Sequence, residues 1–400
     1  EGCSHSYADG IEVKEDGEYY FAEGTSLGAD NGIAVAYCLA ILDSTQLQHP
    51  DLEVIFTVQE ETGLIGADKL DISSLKGTRF INLDSEEEGV FYTSCAGGLR
   101  CRMIWNLEKE IWKEESIPVT VNVKELAGGH SGINIGKGLG NSIVLLGRLC
   151  YALRNTQARV SDIEVQGKAN AIANTGKISF YVKKDEKETV EALIRDTQEV
   201  FRTELQYTDS ISLEIEEGDP VKEAEVYTEK YQSEITKSLM LLPYGVFGYS
   251  FAIEGLIETS MSMGSLTTED GRMTLLMSMR SSVESQKYFL RDKIQIIAEQ
   301  FCDECIFESD YPGWQYRAES PLRETAIALY EKLSGKKAEL AAIHAGLECG
   351  YWDGKRPGMD IISVGPNLYD VHSTKEKVSK ESIANMWNWL TELLKELAEA

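Results

Sequence analysis

The sequence predicts an α/β protein with a mostly parallel sheet in one domain and an α+β domain inserted into it. Three observations carry this prediction. Short apolar runs alternate with helical patterns near both ends of the chain, as expected for strands that are joined by helices. Two stretches in the middle share a layout of strand, turn and long helix. With 400 residues, the chain is too long for one ordinary domain.

The N-terminal part of the chain predicts the first helix and strands of the parallel sheet. Small and apolar residues recur with helical spacing from Ile33 to Leu42. The run LEVIFTV at 52–58 is short, continuous and apolar, which is typical of a strand buried on both faces. TRFINLD at 78–84 predicts another buried strand that ends in an acid, and YTSCAGG at 92–98 predicts a strand that runs into a glycine turn.

The middle of the chain contains two similar segments, GKISFYVKKDEKETVEALIRDTQEVF at 176–201 and GRMTLLMSMRSSVESQKYFLRDKIQIIAEQF at 271–301. Each begins with glycine and a basic residue, continues as an alternating strand, turns, and ends in a long amphipathic helix. We interpret them as two related strand–helix halves of an inserted, open-faced α+β domain. The alternative is a chance similarity between two strand–helix units.

After DYPGW the alternation of buried strands and helices returns. RETAIALYEKLSG predicts a helix, AELAAIHAG and MDIISVGPN predict strands, and KESIANMWNWLTELLKELAEA predicts a closing amphipathic helix. The chain therefore leaves its first domain near residue 97 and returns to it near residue 315. We expect one domain from residues 1–97 and 316–400, and a second domain from residues 98–315.

Composition excludes several classes of function. The formal net charge of −27 repels phosphate backbones, so we expect no nucleic acid partner. No run of 18 or more apolar residues exists, and we expect no membrane partner. The eight cysteines are scattered, which indicates free thiols in a reducing compartment such as the cytoplasm. Cys302 and Cys305 form one C-x-x-C within an amphipathic helix pattern, a weak signal for a metal or redox site.

Acidic residues and a histidine follow the predicted strand ends of the domain formed by residues 1–97 and 316–400, called the outer domain below. They are Asp30, the adjacent pair Glu60 and Glu61, Asp84, and His372. Ligands bind such sheets at the carboxyl ends of the strands. Mixed oxygen and nitrogen ligands suit zinc, and manganese or cobalt less selectively. Two cations bridged by one aspartate would offset the repulsion between the acids, and one of two adjacent glutamates could act as a general base.

Each acid also has a simpler explanation. Asp30 could cap the helix that starts near Asn31, and DSEEE at 84–88 could be a solvated acidic turn. Taken singly, these explanations are favoured. The occurrence of such residues at four strand ends of one domain favours a metal site instead.

The motifs GTSLGADNGIAVA, EETGLIGA, INLDSEEEG, CAGG, GGHSG, DYPGW, HAGLECG, ISVGPN and VHSTKE resemble those of the cytosolic aminoacyl-histidine dipeptidases. These are two-zinc peptidases related to carnosinase, aminoacylase and carboxypeptidase G. The resemblance covers essentially the whole chain. It implies hydrolysis of dipeptides, with Xaa-His favoured, two zinc ions per complete subunit, a duplicated ferredoxin-like lid domain, and a homodimer formed through that lid.

The resemblance also implies roles for the residues of the outer domain. Asp30 matches an aspartate that bridges the two zinc ions, and Glu60 matches the general base. Glu61 and His372 match the ligands of one zinc ion, whereas Asp84 matches a ligand of the other.

In the lid domain, His130 resembles a histidine that polarises the tetrahedral oxyanion. Asn170 and Arg280 resemble groups that hold the substrate carboxylate, and Gly346 resembles a backbone contact to the substrate. We interpret His344 as a structural strand residue, with a ligand role as the alternative.

The chain departs from the family pattern at three places. Ala173 replaces a loop proline, and Ser262 stands where the family often carries asparagine. The family's H-x-D motif, which supplies a zinc histidine, does not occur in the sequence, and the resemblance places it just ahead of Glu1. We therefore keep a second hypothesis, a truncated, non-catalytic homologue that folds and binds metal weakly. His5 is expected to lie in a loop.

Overall fold

The computed structural model describes Ser6 and residues 9–399. The chain separates into two units. The first comprises Glu1–Cys95, Gly313–Ile343 and Leu347–Ala400, and the second comprises Ala96–Pro312 and His344–Gly346. The predicted boundaries near residues 97 and 315 lie close to these. The expected loop position of His5 lies outside the described residues.

The helices of the described chain are α1 (Ala29–Asp43), α2 (Ile65–Lys69), α3 (Ser142–Leu153), α4 (Lys187–Leu205), α5 (Glu229–Leu241), α6 (Glu284–Phe301), α7 (Pro321–Ser334), α8 (Cys349–Lys355) and α9 (Lys380–Glu399), with a 3₁₀ turn at Ile135–Lys137. In the part of the chain that the structure describes, no helix is both long and apolar enough to cross a membrane.

The strands are β1 (Lys14–Glu15), β2 (Tyr19–Phe21), β3 (Arg79–Asn82), β4 (Val90–Cys95), β5 (Gly97–Asn106), β6 (Lys109–Trp112), β7 (Ser116–Lys124), β8 (Gly129–His130), β9 (Arg159–Glu164), β10 (Ala171–Ile172), β11 (Gly176–Lys183), β12 (Ser212–Glu217), β13 (Ala224–Tyr227), β14 (Gly245–Tyr249), β15 (Ile257–Glu269), β16 (Arg272–Ser281), β17 (Glu304–Tyr311), β18 (Glu339–Ile343), β19 (Asp360–Ser363), β20 (Leu368–Tyr369) and β21 (Lys377–Ser379).

The first unit is built on a sheet with the order β18-β4-β19-β3. Its parallel pairs are β18 with β4 and β19 with β3, whereas β19 meets β4 through one antiparallel pair. Helices α7 and α9 cover the sheet, and their core includes Phe91, Trp389 and Leu393. The Trp389 indole N–H donates to the Ala326 carbonyl at 3.0 Å, so the large buried ring keeps its polar group satisfied.

The prediction of a buried strand at 52–58 is wrong. This segment joins no ladder among the described residues, and its Phe56 and Val58 side chains are 49 % and 67 % exposed. The Glu53 carboxylate instead accepts from the backbone N–H groups of Lys76 and Gly77, both at 2.8 Å. An apolar run becomes a strand only where a neighbouring strand pairs with its backbone, and here no described strand does so.

Two predicted strands have different ends in the structure. The segment at 92–98 does not stop at a glycine turn, because Gly97 and Gly98 begin β5. A Cβ at Gly98 would lie 2.4 Å from the Tyr311 ring, so glycine permits this close packing. The strand predicted through His344 ends at Ile343, and His344 lies in the bend that follows.

The second unit contains two larger antiparallel sheets with the orders β12-β7-β11-β9 and β14-β15-β16-β5-β17. The two similar sequence segments form β11 followed by α4, and β16 followed by α6, with one strand in each sheet. Buried methionines of β15 and β16 belong to the core of this unit.

The C-x-x-C segment is not helical, contrary to the prediction. Helix α6 ends at Phe301, and Cys305 lies in β17 opposite Met103 of β5. The Cys302 N–H donates to the Ala298 carbonyl at 3.0 Å, and the chain after this last helical bond pairs with β5 as strand β17. The sulfur of Cys305 lies 3.5 Å from that of Cys101, and the cysteines within the described ranges are free thiols.

Candidate functional site

Asp30, Glu61 and His372 come together in the first unit. The His372 Nε2 atom lies 3.1 Å from Asp30 Oδ2 and 3.1 Å from Glu61 Oε1. Each residue offers one ligand atom, and these atoms all lie within 4.8 Å of one another. Because the ligand atoms of a tetrahedral zinc ion are about 3.3 Å apart, this set of two carboxylates and one imidazole fits one such cation.

Asp30 does not cap helix α1, which was the simpler explanation for it. Asp30 and Asn31 have non-helical backbone angles, and Asn31 Oδ1 accepts from the Ala34 N–H at 3.3 Å. The regular helix therefore starts with Asn31 as its capping side chain. The carboxylate of Asp30 is left free to face His372.

The backbone that carries Asp30 is held by Glu376. This buried carboxylate accepts from the N–H groups of Gly28 at 2.9 Å and Asp30 at 3.1 Å. Two hydrogen bonds to one charged group fix the start of α1 in place. The sequence reasoning did not single out Glu376, although it belongs to the VHSTKE motif.

Glu60 and Glu61 stand in a tight turn before α2. The Glu60 carbonyl accepts from the N–H groups of Gly63 and Leu64 at 3.0 and 2.7 Å, and Gln59 has a positive φ of 55°. A Cβ at Gly66 would lie 2.5 Å from the Val58 backbone, so only glycine allows the turn to close this tightly. The turn lets the two neighbouring side chains take different environments.

Glu60 is half-buried, and burial raises the pKa of its carboxyl to about 8, with further contributions from Asp84 and Glu61. Burial also raises the pKa of Asp84 to about 7, and Asp30 adds to this effect. Acids that are crowded together and desolvated favour protonation or a bound cation. Asp84 does not belong to the three-residue group around His372.

Glu348 is a further acid of this site that the sequence reasoning missed. It is 8 % exposed, and its Oε1 atom has no hydrogen-bond partner. Burial raises the pKa of its carboxyl. Its position in the HAGLECG motif was the available signal, but a glutamate beside a helix start is common and carries no chemistry by itself.

His372 lies in the turn after β20 with a positive φ of 60°, an uncommon conformation for a residue with a side chain. Burial opposes protonation of its ring, but the combined attraction of Glu61 and Asp30 outweighs this, and the pKa of His372 is raised.

The acids line a cavity of about 960 Å³ in the first unit. Asp30, Glu60, Glu61, Asp84 and Glu348 lie along one part of its wall, and apolar residues of α1, α9 and the 52–58 segment form much of the rest. This cavity places the carboxylates next to an apolar surface, and among them Glu348 is buried whereas Glu61 is exposed.

The remaining predicted site residues belong to the second unit. The His130 Nδ1 atom accepts from the N–H groups of Gly132 at 3.2 Å and Ile133 at 3.1 Å. Burial and the nearby Arg280 lower the pKa of His130. The ring is therefore neutral, with its proton on Nε2, where it can donate a hydrogen bond.

Arg280 is buried and donates from Nη1 to the Tyr311 hydroxyl at 3.0 Å. Asn170 has an exposed side chain, and its carbonyl accepts from the Ser131 N–H at 2.8 Å, next to His130. Gly346 ends the short segment that includes His344. Asn170 and Arg280 thus lie near the segment that carries His130, whereas Gly346 shares only the second unit with it.

Comparisons with known proteins agree with this architecture. The family model "Peptidase family M20/M25/M40" matches residues 7–396. The chain is 34 % identical over 390 residues to the cytosol non-specific dipeptidase of Escherichia coli (strain K12), covering 97 % of this chain and 80 % of that protein.

Solved structures show the same fold. The aminoacylhistidine dipeptidase from Vibrio alginolyticus superposes with a TM-score of 0.93 at 34 % identity, covering 99 % of this chain and 81 % of that one. An aminopeptidase from Bacillus cereus gives a TM-score of 0.50 at 15 % identity, covering 98 % and 78 %, which shows the fold alone. The α/β prediction and the motif resemblance are confirmed, and with the family model matching almost its whole length, the chain belongs to peptidase family M20/M25/M40.

Proposed function

We propose that this chain hydrolyses dipeptides, with Xaa-His favoured, using zinc bound by Asp30, Glu61 and His372. The observation that carries this proposal is the convergence of two carboxylates and one imidazole, with ligand atoms within 4.8 Å of one another. Asp84 with Asp30 would hold a second ion, giving two zinc ions per complete subunit. Cobalt or manganese would fit the same oxygen and nitrogen ligands.

Bound zinc supplies a Lewis acid at such a site and lowers the pKa of water to about 7. Glu60 is the proposed general base. Its raised pKa suits a group that takes a proton from the attacking water and returns it to the leaving amine near neutral pH. Its neighbour Glu61 is the proposed metal ligand, since its carboxylate lies 3.1 Å from His372 Nε2.

In the second unit, the neutral His130 would donate from Nε2 to the oxyanion that forms at the scissile carbonyl. Arg280 would hold the substrate carboxylate, with Asn170 and Gly346 as further contacts. We also propose that residues 98–315 act as a lid and dimerisation domain and that residues 1–97 and 316–400 act as the catalytic domain, in a cytoplasmic protein without nucleic acid or membrane partners.

The proposed preference for a C-terminal histidine is based on the names of similar proteins. One similar protein is named an aminoacylhistidine dipeptidase and another a non-specific dipeptidase. A preference rather than strict selection is therefore the proposal for this chain.

The second candidate is a non-catalytic chain that folds and binds metal weakly. One observation favours it. Among the described residues, Asp84 joins no group of three ligand side chains, so a second ion would be held by carboxylates alone. A parent sequence that carries H-x-D ahead of Glu1 would favour the enzyme instead.

The experiment is a dipeptide panel on zinc-loaded protein, with Xaa-His, Xaa-Leu and tripeptide substrates and metal content measured on the same samples. We expect turnover of dipeptides, fastest for Xaa-His, and loss of turnover after chelation. Bound zinc without hydrolysis of any dipeptide would establish the non-catalytic alternative. Equal rates for tripeptides would show that the substrate class is wrong.

A further inference from the structure

Two cysteine thiols are in contact within the second unit. Cys101 belongs to β5 and Cys305 belongs to the neighbouring strand β17, and their Sγ atoms lie 3.5 Å apart. Cys305 stands opposite Met103, which is two residues from Cys101. The two cysteines are therefore diagonal neighbours on one face of the sheet, and their sulfur atoms lie close enough to react with each other.

The two thiols differ in their access to solvent. Cys101 is 0 % exposed and lies in the core of the second unit, whereas Cys305 is partly exposed and packs against that core. The residues on either side of Cys305, Glu304 and Ile306, are exposed. Strand β17 is the last strand in the sheet order β14-β15-β16-β5-β17, so one of its edges faces away from the sheet. A small oxidant can therefore reach Cys305, but not Cys101, in the folded chain.

The hydrogen bond between the two thiols gives them different roles. The bond from Cys101 lowers the pKa of the Cys305 thiol. The same bond, together with burial, raises the pKa of the Cys101 thiol, so Cys101 keeps its proton and donates it to the Cys305 sulfur. The thiolate is the nucleophile in cysteine chemistry. Cys305 is therefore the sulfur that reacts first, and Cys101 is the sulfur that reacts with the product.

Cys302 is the other candidate partner of Cys305, because the two form the C-x-x-C segment of the sequence. Its Sγ atom donates to the Glu304 carbonyl at 3.2 Å, and burial raises the pKa of its thiol to about 11. Cys302 is thus bonded to the backbone of its own turn, whereas the Cys101 thiol is bonded to the Cys305 sulfur. The contacts favour Cys101 as the partner.

Cys101 by itself has a simpler explanation, since free cysteine is commonly buried as a small apolar residue. That explanation does not extend to Cys305, which is partly exposed on an edge strand and whose sulfur contacts a second sulfur. Packing alone requires no hydrogen bond between two thiols, because a small apolar side chain would fill such a place. The contact therefore points to chemistry between the two sulfur atoms.

A bond between the two sulfur atoms requires a small movement. The S–S distance of a disulfide is about 2.0 Å, so the thiols must approach each other by about 1.5 Å. Strand β17 can supply this movement, because strand pairing holds an edge strand on one side only. Its pairing with β5 already shifts register between Glu308 and Tyr311.

We propose that Cys101 and Cys305 form a reversible oxidation site, at which a peroxide converts the two thiols into a disulfide between β5 and β17. The Cys305 thiolate attacks one peroxide oxygen, the O–O bond breaks, and Cys305 becomes a sulfenic acid. The other oxygen takes up the proton that Cys305 had lost and leaves as water.

The second step closes the disulfide. The Cys101 sulfur attacks the Cys305 sulfur, the S–O bond breaks, and the oxygen leaves as water with the Cys101 proton. The two thiols have then lost two electrons, and hydrogen peroxide has been reduced to two water molecules. Two molecules of a small thiol such as glutathione reverse the reaction by thiol–disulfide exchange and are themselves oxidised to a disulfide.

The test uses wild type and three variants, Cys101→Ser, Cys305→Ser and Cys302→Ser, the last as the matched control. Each folded protein is treated with dilute hydrogen peroxide, its remaining thiols are blocked, and its disulfides are mapped by mass spectrometry of peptides. In wild type and in Cys302→Ser we expect one Cys101–Cys305 disulfide and the loss of two thiols per chain, both reversed by dithiothreitol. Cys305 should react about tenfold or more faster than Cys150, which is buried.

The serine variants separate oxidation from packing. Cys101→Ser should stop at a sulfenic acid on Cys305, which dimedone traps, whereas Cys305→Ser should keep Cys101 as a thiol. A packing role alone predicts lower stability in both variants and no difference between their peroxide products. A disulfide between Cys302 and Cys305, or oxidation without a Cys101–Cys305 link, would overturn the proposal.

The outcome does not depend on whether the serine variants fold, because wild type and Cys302→Ser retain both thiols. None of these measurements involves a substrate, so a failure of the proposed function would leave the result unchanged. The same reaction in urea is the control for the fold. We expect the Cys101–Cys305 link to form about tenfold or more faster in the folded chain, since the two cysteines are 204 positions apart in the sequence. Equal rates in buffer and in urea would show that the fold does not bring the thiols together.

Discussion

The buried carboxylate of Glu376 accepts a hydrogen bond from the backbone N–H of Asp30 at 3.1 Å, and a second from Gly28 at 2.9 Å. A residue from the C-terminal part of the chain thus fixes the backbone of a proposed metal ligand near the N-terminus. The side chain of Asp30 in turn contacts His372 Nε2 through Oδ2 at 3.1 Å.

We expect Glu376→Ala to lower the free energy of unfolding by about 1–3 kcal/mol, since two backbone donors lose their acceptor in a buried place. Zinc affinity should fall as well, because Asp30 loses its fixed position. Urea unfolding of metal-free protein and a zinc titration would measure the two effects. The control is Glu23→Gln, which removes an exposed ion pair with Lys14 and should change stability by less than about 1 kcal/mol. A Glu376→Ala protein that binds zinc like wild type would show that the hydrogen bonds to Glu376 do not position Asp30.

Glu60 and Glu61 provide a second prediction. We expect Glu60→Ala to abolish turnover while the zinc content stays near that of wild type, because Glu60 is proposed as a base and not as a ligand. Glu61→Ala should lose metal, since its carboxylate lies beside His372. Metal analysis of both proteins together with dipeptide assays would test this. The opposite pattern would mean that the roles of the two glutamates are exchanged.

These two glutamates also show how far the sequence could be interpreted. Adjacent acids after an apolar run, with Asp30 and His372 at other turns, predicted a metal site, and the structure places three of these residues together. The strand that was expected to carry the glutamates is absent from the described ladders, however. An apolar run shows that a segment could be buried. A strand also needs a neighbouring strand to pair with its backbone, and the sequence does not show which neighbour is present.

Glu376 and Glu348 were missed for a different reason. Glu376 acts through a contact to Asp30, 346 positions away, and the carboxyl pKa of Glu348 is raised by burial. Such long-range features leave no local pattern in the sequence. His344 was assigned to a strand because apolar residues precede it. Its contact with Ser260 depends on how β15 lies beside the bend after β18.

A third prediction concerns the exposed apolar segment at 52–58. Phe56 is 49 % exposed, whereas Phe91 is 1 % exposed and belongs to the core. We expect Phe56→Ser to change the free energy of unfolding by less than about 1 kcal/mol and to reduce the binding of a hydrophobic dye. Phe91→Ala should cost about 3–5 kcal/mol. Chemical unfolding of both variants is the measurement, and a large loss in Phe56→Ser would show that this segment is packed in solution.

The fourth prediction is a pH dependence of stability that comes from His344. The pKa of its ring is about 3 in the folded chain and about 6.5 in an unfolded one. At pH values between these two pKa values, the His344 ring is protonated in the unfolded state but not in the folded state. Stability is therefore lost as the pH falls below about 6.5. At pH 5 this loss amounts to about 2 kcal/mol relative to pH 8.

We expect His344→Gln to remove this component, so that its stability falls less between pH 8 and pH 5 than that of wild type. Urea unfolding at the two pH values measures the difference. His49→Gln is the matched control, because His49 is exposed and its replacement should leave the dependence as it is in wild type. A His344→Gln protein with the same pH dependence as wild type would mean that the ring is protonated in the folded chain.

The last prediction is the stoichiometry of metal binding. Asp30, Glu61 and His372 give one cation three protein ligands, including an imidazole, which is the number that a catalytic zinc ion uses together with water. A second cation between Asp30 and Asp84 would meet carboxylates only, since among the described residues of the first unit the other histidine is the exposed His49. Zinc binds oxygen-only sites with few ligands much more weakly.

Titration of the purified chain should therefore show one tight and one weak zinc site. His372→Ala should remove the tight site, and Asp84→Asn should remove the weak site and leave the tight one almost unchanged. These variants are matched, since each removes one ligand. Two equally tight sites in the unaltered chain would mean that another side chain completes the second site, and Glu348, whose Oε1 atom has no partner, would be the first residue to replace.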